Sequence, residues 1–278
     1  MSKHTGIIKE ADLFSGQLSY RYDGTFEGLL CCLYETYAAR ELPENILGPG
    51  TVEDSLFGTK IIVTDIAKAV KVWRSIGEKL GLEFASLVHD AFCTCLPDKE
   101  LQIVYLLRKG YRLGPNLLQQ ALDDTVHRIN LAVHFLYSES HLLKGFIRFS
   151  VHQDILITTI GPKNYVLPYL RTHFEKRYPS ERFLIYDETH QMALVYAPYQ
   201  SRIIPMDEFK EAPPDPEEQK FRALWRSFYE AIEIKPRHNE RCRRTLMPKR
   251  YWRYMTEFKP NGDPWPLKAD LPAAALKG

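Results

Sequence analysis

The spacing of apolar residues changes abruptly at Gly145, and this change limits the folds that are open to the chain. From residue 81 to about residue 143, apolar side chains recur with the helical period, and two breaks divide the stretch into about three helices. After Gly145 the period falls to two, in residues 146–151 and 155–160, which predicts two strands around a polar turn. A helical region therefore precedes a sheet, as in an α+β protein.

The second half of the chain continues with an amphipathic helix at residues 165–178 and two further strands, at residues 183–186 and 193–196. This order predicts a strand–strand–helix–strand–strand unit, and the short connections favour a mainly antiparallel sheet. Residues 210–218 are rich in proline and charge and predict a linker. C-terminal helices follow, the first at residues 218–232.

The first half opens with two strand-then-helix units, whose helices have Thr25 and Asp65 as candidate N-caps. A cluster of proline and glycine at residues 43–50 ends the first unit, and the second strand is predicted at residues 61–63. We divide the chain into three regions: residues 1–80, 81–144 and 145–278. The three regions could also form one compact domain.

The composition of the chain indicates its cellular compartment and restricts the kinds of chemistry that it could carry out. No apolar run approaches the roughly 20 residues that span a bilayer, and the N-terminus lacks the features of a signal peptide. We therefore expect a cytoplasmic protein without a membrane partner. The five cysteines are odd in number and form no Cys-x-x-Cys, which is typical of reduced thiols. No motif predicts a cofactor or a metal site.

Charge is concentrated near the C-terminus. Residues 235–259 hold nine basic and two acidic residues, a net +7, so the rest of the chain carries 2 − 7 = −5. Such a segment suits a polyanion, with arginines for phosphates and aromatic rings for bases. Alternatively, it docks on the acidic remainder of the same protein. The predicted nucleic-acid contacts are Arg237, Asn239, Arg241, Arg244, Arg250 and Tyr251.

Five other residues are candidates for acid–base chemistry. Glu139, His141 and Arg148 lie where the last long helix meets the first strand, while His173 lies on the later helix and Asp187 ends a strand. An enzyme would bring all five to one pocket. The alternative is structural: His141 caps its helix, Arg148 lies on an exposed strand face and Asp187 is a turn residue.

Several stretches together resemble a bacterial family of DNA-repair and DNA-metabolism proteins whose C-terminal part is a domain of unknown function. The resemblance covers roughly residues 18–260, and its motifs occur in order: Tyr22-Asp-Gly-Thr-Phe-Glu-Gly28, Glu139-Ser-His141, Gly145-Phe-Ile-Arg-Phe149, Ile160-Gly-Pro162, His173-Phe-Glu-Lys-Arg177, Ile185-Tyr-Asp187 and Met247-Pro-Lys-Arg-Tyr-Trp252.

The resemblance implies a partner. Members of this family accompany a radical S-adenosylmethionine protein of DNA repair or modification, and some are fused to a domain of the uracil-DNA glycosylase superfamily. The family usually has Arg directly after the motif His, whereas this chain has Leu142, so no role is assigned to that Arg here.

Three functions are therefore open. The leading expectation is a DNA-repair or DNA-modification accessory protein that binds DNA and cooperates with the radical enzyme. The second is an enzyme that acts directly on a damaged or modified base. The third is a protein-interaction scaffold without DNA contact, whose basic segment would be buried against carboxylates.

Overall fold

A computed structural model shows an α+β protein, as the sequence predicts. The residues that it describes are 18–51, 58–120, 122–209, 216–232, 234 and 239–258. Contacts divide the chain into two compact units, Met1–Leu136 and Tyr137–Gly278, with the boundary inside one long helix. The three regions predicted from the sequence have other boundaries. None of the helices in the described ranges is long and apolar enough to cross a membrane.

The first unit contains a small parallel sheet of three strands in the order β2-β1-β3. Its strands are β1 (Ser19–Arg21), β2 (Asn45–Leu47) and β3 (Thr59–Ile61). The sequence predicts β1. It also predicts β3, but at residues 61–63, so the predicted strand begins two residues too late. It misses β2, which lies in the proline- and glycine-rich stretch of residues 43–50. A strand of three residues is too short to show an alternation of apolar and polar side chains. Its pairing with β1 is therefore needed to recognise it.

Helices cover this sheet and form the core of the first unit. They are α1 (Phe26–Ala38), α2 (Ile66–Leu80), α3 (Leu82–Phe92), α4 (Lys99–Leu113), the 3-10 helix Pro115–Gln119 and the start of α5 (Asp124–Phe146). Thr25 Oγ1 accepts a hydrogen bond from the backbone of Gly28, and Asp65 Oδ1 accepts from Ala67, so both predicted N-caps are confirmed. The three helices predicted after residue 81 are α3, α4 and α5.

The second unit contains a five-stranded sheet in the order β4-β5-β6-β7-β8. Its strands are β4 (Ser150–His152), β5 (Ile155–Ile160), β6 (Arg182–Asp187), β7 (Met192–Ala197) and β8 (Gln200–Pro205). Three of the four pairings are antiparallel. The exception is β5 with β6, which are parallel because α6 (Leu167–Arg177) lies between them as a crossover.

Two details of the predicted sheet are wrong. Residues 146–149 do not belong to a strand, since α5 continues to Phe146 and β4 begins only at Ser150. The sequence also misses β8, an edge strand that is largely exposed and ends in Pro205, so it lacks a clear apolar alternation.

The remaining elements are α7 (Pro216–Ala231), α8 (Glu240–Leu246) and the 3-10 helices Lys249–Tyr254 and Thr256–Phe258. Glu218 of α7 accepts hydrogen bonds from the backbone of Val151 (3.4 Å) and from Arg222 Nε (2.8 Å). Arg222 in turn contacts the hydroxyl of Ser150. Because β4 is an edge strand, the bond to Glu218 covers a backbone N–H, that of Val151, which would otherwise face solvent.

Candidate functional site

Residues 249–258, which we call the C-terminal segment, carry two of the nucleic-acid contacts predicted from the sequence, Arg250 and Tyr251. Side chains at three points along this segment form ion pairs with the body of the second unit. The pairs are Arg250 with Glu139, Arg253 with Glu188, and Glu257 with Arg148. The sequence predicts an outward-facing basic surface. In the C-terminal segment, however, the charged side chains form ion pairs with residues of the same unit.

Glu139 lies near the end of α5, and its side chain is completely buried. Its Oε2 accepts hydrogen bonds from the backbone (2.8 Å) and side-chain amide (2.7 Å) of Asn164, and its Oε1 accepts from the backbone of Lys163 (3.1 Å). Arg250 Nη2 (3.0 Å) and Tyr251 Oη (2.8 Å) also donate to Oε1. The carboxylate therefore joins α5, the loop after β5 and the C-terminal segment.

This arrangement leaves the Glu139 carboxylate no acceptor capacity for a substrate. An ionised carboxylate offers roughly four lone-pair sites, and five donors already converge on it. Burial raises the pKa of the Tyr251 phenol, so this side chain stays a neutral donor. We conclude that Glu139 anchors the C-terminal segment.

The second point of contact lies at the carboxyl ends of β5 and β6. Glu188 donates its backbone N–H to Ile160 O (3.0 Å), and its carboxylate accepts a hydrogen bond from Tyr254 Oη (2.7 Å) and pairs with Arg253. Gly161 lies directly beneath Tyr254, where an added Cβ would lie 2.8 Å from Cζ of that ring. The absence of a side chain at Gly161 thus lets the tyrosine reach Glu188.

The third point joins Arg148 to Glu257, whose side chain is only 2% exposed. Arg148 Nη2 donates to Glu257 Oε1 (2.9 Å), and Nη1 donates to Gly145 O (2.7 Å) at the end of α5. The indole of Trp225 donates to the other oxygen of Glu257 (3.1 Å), and the guanidinium of Arg148 lies over that ring. Arg148 is thus committed to the fold.

Asp187 forms a pair that the sequence reading missed. Its buried carboxylate lies 2.7 Å from His190 Nδ1 and accepts hydrogen bonds from the backbones of Thr189 (3.0 Å) and His190 (3.1 Å). These bonds close the turn between β6 and β7. The Asp-x-x-His spacing after a strand is the signal that could have found it.

The five acid–base candidates are not brought together. In the described part of the chain, no hydrogen bond or ion pair joins any two of Glu139, His141, Arg148, His173 and Asp187. His141 is exposed, and His173 lies edge-on to Phe174, where burial and the nearby Lys144 and Arg177 lower its pKa. Their catalytic role stays a prediction, while the contacts give Glu139, Arg148 and Asp187 structural roles.

The cavity that lies beside this cluster is small. The cavity beside Tyr251 has a volume of about 10 Å³, has mostly apolar walls, and could hold one water molecule at most. Within the described ranges, no group of three His, Cys, Asp or Glu side chains could hold a metal ion.

A larger cleft of about 240 Å³ lies in the first unit, between β2 and the start of α4. Asp98 and Glu100 are among its lining residues, and Glu100 accepts a hydrogen bond from Tyr22 Oη (3.1 Å). Two carboxylates in its wall disfavour a phosphate ligand. The cleft is therefore a poor candidate for nucleic acid.

The helix α8 is where the predicted basic surface faces outward. Asn239 Oδ1 accepts a hydrogen bond from the backbone of Cys242 (2.9 Å), which confirms that the helix begins there. Arg241 and Arg244 are exposed, and Arg244 Nε donates to Glu240 (2.9 Å), whose pKa is lowered by this bond and by Arg243. Arg237, also predicted as a contact, lies outside the described residues.

Residues 97–257 match a family described as a domain of unknown function, DUF4130. The match covers more than half of the chain, and includes α4, α5, the five-stranded sheet, α7, α8 and almost all of the C-terminal segment. The domain of unknown function expected from the resemblance is thereby confirmed. No curated protein matches the chain, and no solved structure matches it.

Proposed function

The chain belongs to the DUF4130 family, and we propose that it binds DNA through the outward face of α8, as part of DNA repair or DNA metabolism. The observation that carries the proposal is the exposure of Arg241 and Arg244. They lie three residues apart and so share one side of the helix. Arg250 and Arg253, in contrast, form ion pairs with Glu139 and Glu188 in the body of the second unit.

The two arginines are available to a phosphate. Arg241 has no ion pair within the described residues. Arg244 pairs with Glu240, but its side chain is 53% exposed. Solvent screens surface pairs of this kind, so a phosphate can replace the carboxylate at little cost. The planar guanidinium group then donates two parallel hydrogen bonds to phosphate oxygens.

Three residues predicted as contacts are left out of the proposed surface. Arg250 and Tyr251 are bound to the buried carboxylate of Glu139, and the Tyr251 ring is 1% exposed. The side chain of Asn239 is occupied as the N-cap of α8. The binding of Arg250 and Tyr251 to Glu139 favours the alternative, a scaffold without DNA contact. That alternative also requires Arg241 and Arg244 to be buried against carboxylates, and both are exposed.

The radical S-adenosylmethionine partner is proposed on the family resemblance. The role that we propose for this chain is to hold DNA while the radical enzyme carries out the chemistry. Co-purification of the two proteins tests this part separately. A pair that remains apart at low salt, with and without DNA, would leave the chain a DNA-binding protein acting by itself.

The DNA-binding proposal is tested by titrating a labelled duplex at several salt concentrations. We expect affinity to fall steeply with salt, because each phosphate contact contributes about −0.9 to the slope of log K against log salt. The variant Arg241→Gln/Arg244→Gln should bind more weakly. Its slope should also be less steep, by the contribution of about two phosphate contacts.

The matched control is Lys71→Gln/Arg74→Gln, which removes two exposed cations at the same spacing from α2. It should leave both affinity and slope unchanged. Equal losses in the two variants would mean that α8 has no special role. A wild-type protein that binds no DNA at low salt would refute the proposal as a whole.

A further inference from the structure

Three tyrosines on the surface of the first unit each have a cation over the ring. The cations lie within about 6 Å of the ring centroids, the distance at which a ring attracts a positive charge. We call the six residues the tyrosine–cation surface. The pairs are Lys68 with Tyr34 (5.3 Å), Lys79 with Tyr111 (6.0 Å) and Arg108 with Tyr37 (4.9 Å).

The three pairs are continuous with one another across α1, α2 and α4. Tyr34 and Tyr37 are 39% and 46% exposed and lie three residues apart, so they share one side of α1. The Tyr37 and Tyr111 rings meet edge to face, with centroids 6.0 Å apart. Tyr111 Oη donates to Ser75 Oγ of α2 (3.2 Å), and Lys79 lies one turn beyond Ser75.

The three cations keep their charge. None of them forms an ion pair within the described residues, whereas Lys60 of the same unit pairs with Glu35 (2.9 Å) and Glu41 (2.8 Å). A ring holds a cation through its quadrupole and does not cancel the charge. Arg108 is fixed further by a hydrogen bond from Nη1 to Thr36 O (3.3 Å). The charges therefore remain available to an anion.

Two other carboxylates of α1 and α2 are set apart from these cations. Glu27 lies two turns before Tyr34, about 10 Å along α1. Glu78 precedes Lys79 on α2 and so lies about 100° around that helix from it. Neither forms an ion pair with a cation of the tyrosine–cation surface. The local charge is thus positive, although the chain outside residues 235–259 is acidic as a whole.

Two phenol groups add hydrogen-bond donors to the charges. The hydroxyls of Tyr34 and Tyr37 have no hydrogen-bond partner in the part of the chain that the structure describes. Burial raises the pKa of the Tyr37 phenol, so this group keeps its proton. Neutral tyrosine hydroxyls and basic side chains are both common contacts of phosphate oxygens in DNA complexes.

We propose that the tyrosine–cation surface is a second DNA-binding surface, which contacts the phosphates of one strand. The choice of DNA rests on the proposed function. Lys68 and Lys79 lie eleven residues apart on one side of α2, about 16 Å along its axis. One strand of a duplex has a phosphate about every 3.4 Å of axis, so about five phosphates span that length. A strand can therefore meet the separated cations together.

The test titrates the labelled duplex at several salt concentrations with Lys68→Gln/Lys79→Gln. We expect affinity to fall about fivefold or more at low salt, and the slope to become less steep by about two phosphate contacts. The variant Lys68→Arg/Lys79→Arg keeps the charges and should retain both. The matched control is again Lys71→Gln/Arg74→Gln, since these cations of α2 contact none of the three rings in the described ranges, and it should change neither.

The outcomes separate this inference from the proposed function. Full affinity and slope in Lys68→Gln/Lys79→Gln, with losses in Arg241→Gln/Arg244→Gln, would refute the inference and leave DNA binding by α8 intact. Losses in Lys68→Gln/Lys79→Gln alone would support the inference and refute binding by α8, and losses in both would support both.

Three other results would overturn the inference. Wild-type protein that binds no DNA would overturn it together with the proposed function. Equal losses in the Gln and Arg variants of Lys68 and Lys79 would mean that their charge is not what binds. Wild-type protein that binds polyglutamate more tightly than the duplex at matched salt, with that binding lost in Lys68→Gln/Lys79→Gln, would assign the surface to an acidic protein.

Discussion

Replacing Glu139 by Gln should destabilise the second unit strongly, although the change is nearly isosteric. The substitution removes the charge opposite Arg250 and turns one acceptor oxygen into an amide that donates. If that amide replaces Oε2, it faces the two donors of Asn164, at 2.8 and 2.7 Å. Each buried donor left without an acceptor costs about 1–3 kcal/mol.

The loss of the ion pair adds to this cost. Removing one partner of a fully buried pair costs about 3–5 kcal/mol, but Arg250 is 32% exposed, so water recovers part of the loss. We expect a total decrease of about 3–5 kcal/mol in the free energy of unfolding, measured by urea denaturation with an unchanged m-value.

The control is Glu188→Gln, which breaks the pair with Arg253 at a more exposed position, where the Glu188 side chain is 37% exposed. This variant should lose about 1 kcal/mol or less. If Glu139→Gln loses no more than Glu188→Gln, the view of Glu139 as the anchor of the C-terminal segment is wrong.

Three further predictions concern single sites. Gly161→Ala would press a methyl group against the Tyr254 ring, so the melting temperature should fall by the equivalent of about 1–3 kcal/mol; an unchanged melting temperature would contradict the close contact. Burial lowers the pKa of His173 in the folded protein, so the unfolded chain takes up a proton first as pH falls below about 6.5. Wild type should therefore lose more stability than His173→Gln between neutral pH and about pH 5, and parallel losses in chemical denaturation would refute the assignment. Asn239→Ala removes the N-cap of α8 at a local cost of about 1 kcal/mol, so the Cys242 amide should exchange its hydrogen faster, and equal exchange would rule out the cap.

The features that the sequence predicted well are those set by near neighbours. The helix starts after Thr25, Asp65 and Asn239 follow from a side chain that bonds a backbone amide two or three residues later. The strands β6 and β7 follow from an apolar alternation within each segment. In each case the interaction that decides the structure is contained in a short window of sequence.

The features that were missed depend on distant partners. Arg250 and Tyr251 were predicted as surface contacts because they lie in a basic stretch, yet their partner Glu139 lies 111 and 112 residues earlier in the chain. The parallel pairing of β5 with β6 likewise depends on where α6 packs and not on either strand.

The most direct test of DNA binding by α8 is arginine footprinting with phenylglyoxal, followed by mass spectrometry, in the presence and absence of the DNA duplex. We expect Arg241 and Arg244 to react in the free protein and to be protected in the complex. The exposed Arg74 on α2 should react equally in both. Full reactivity of Arg241 and Arg244 in a saturated complex would contradict the claim that α8 holds the phosphates.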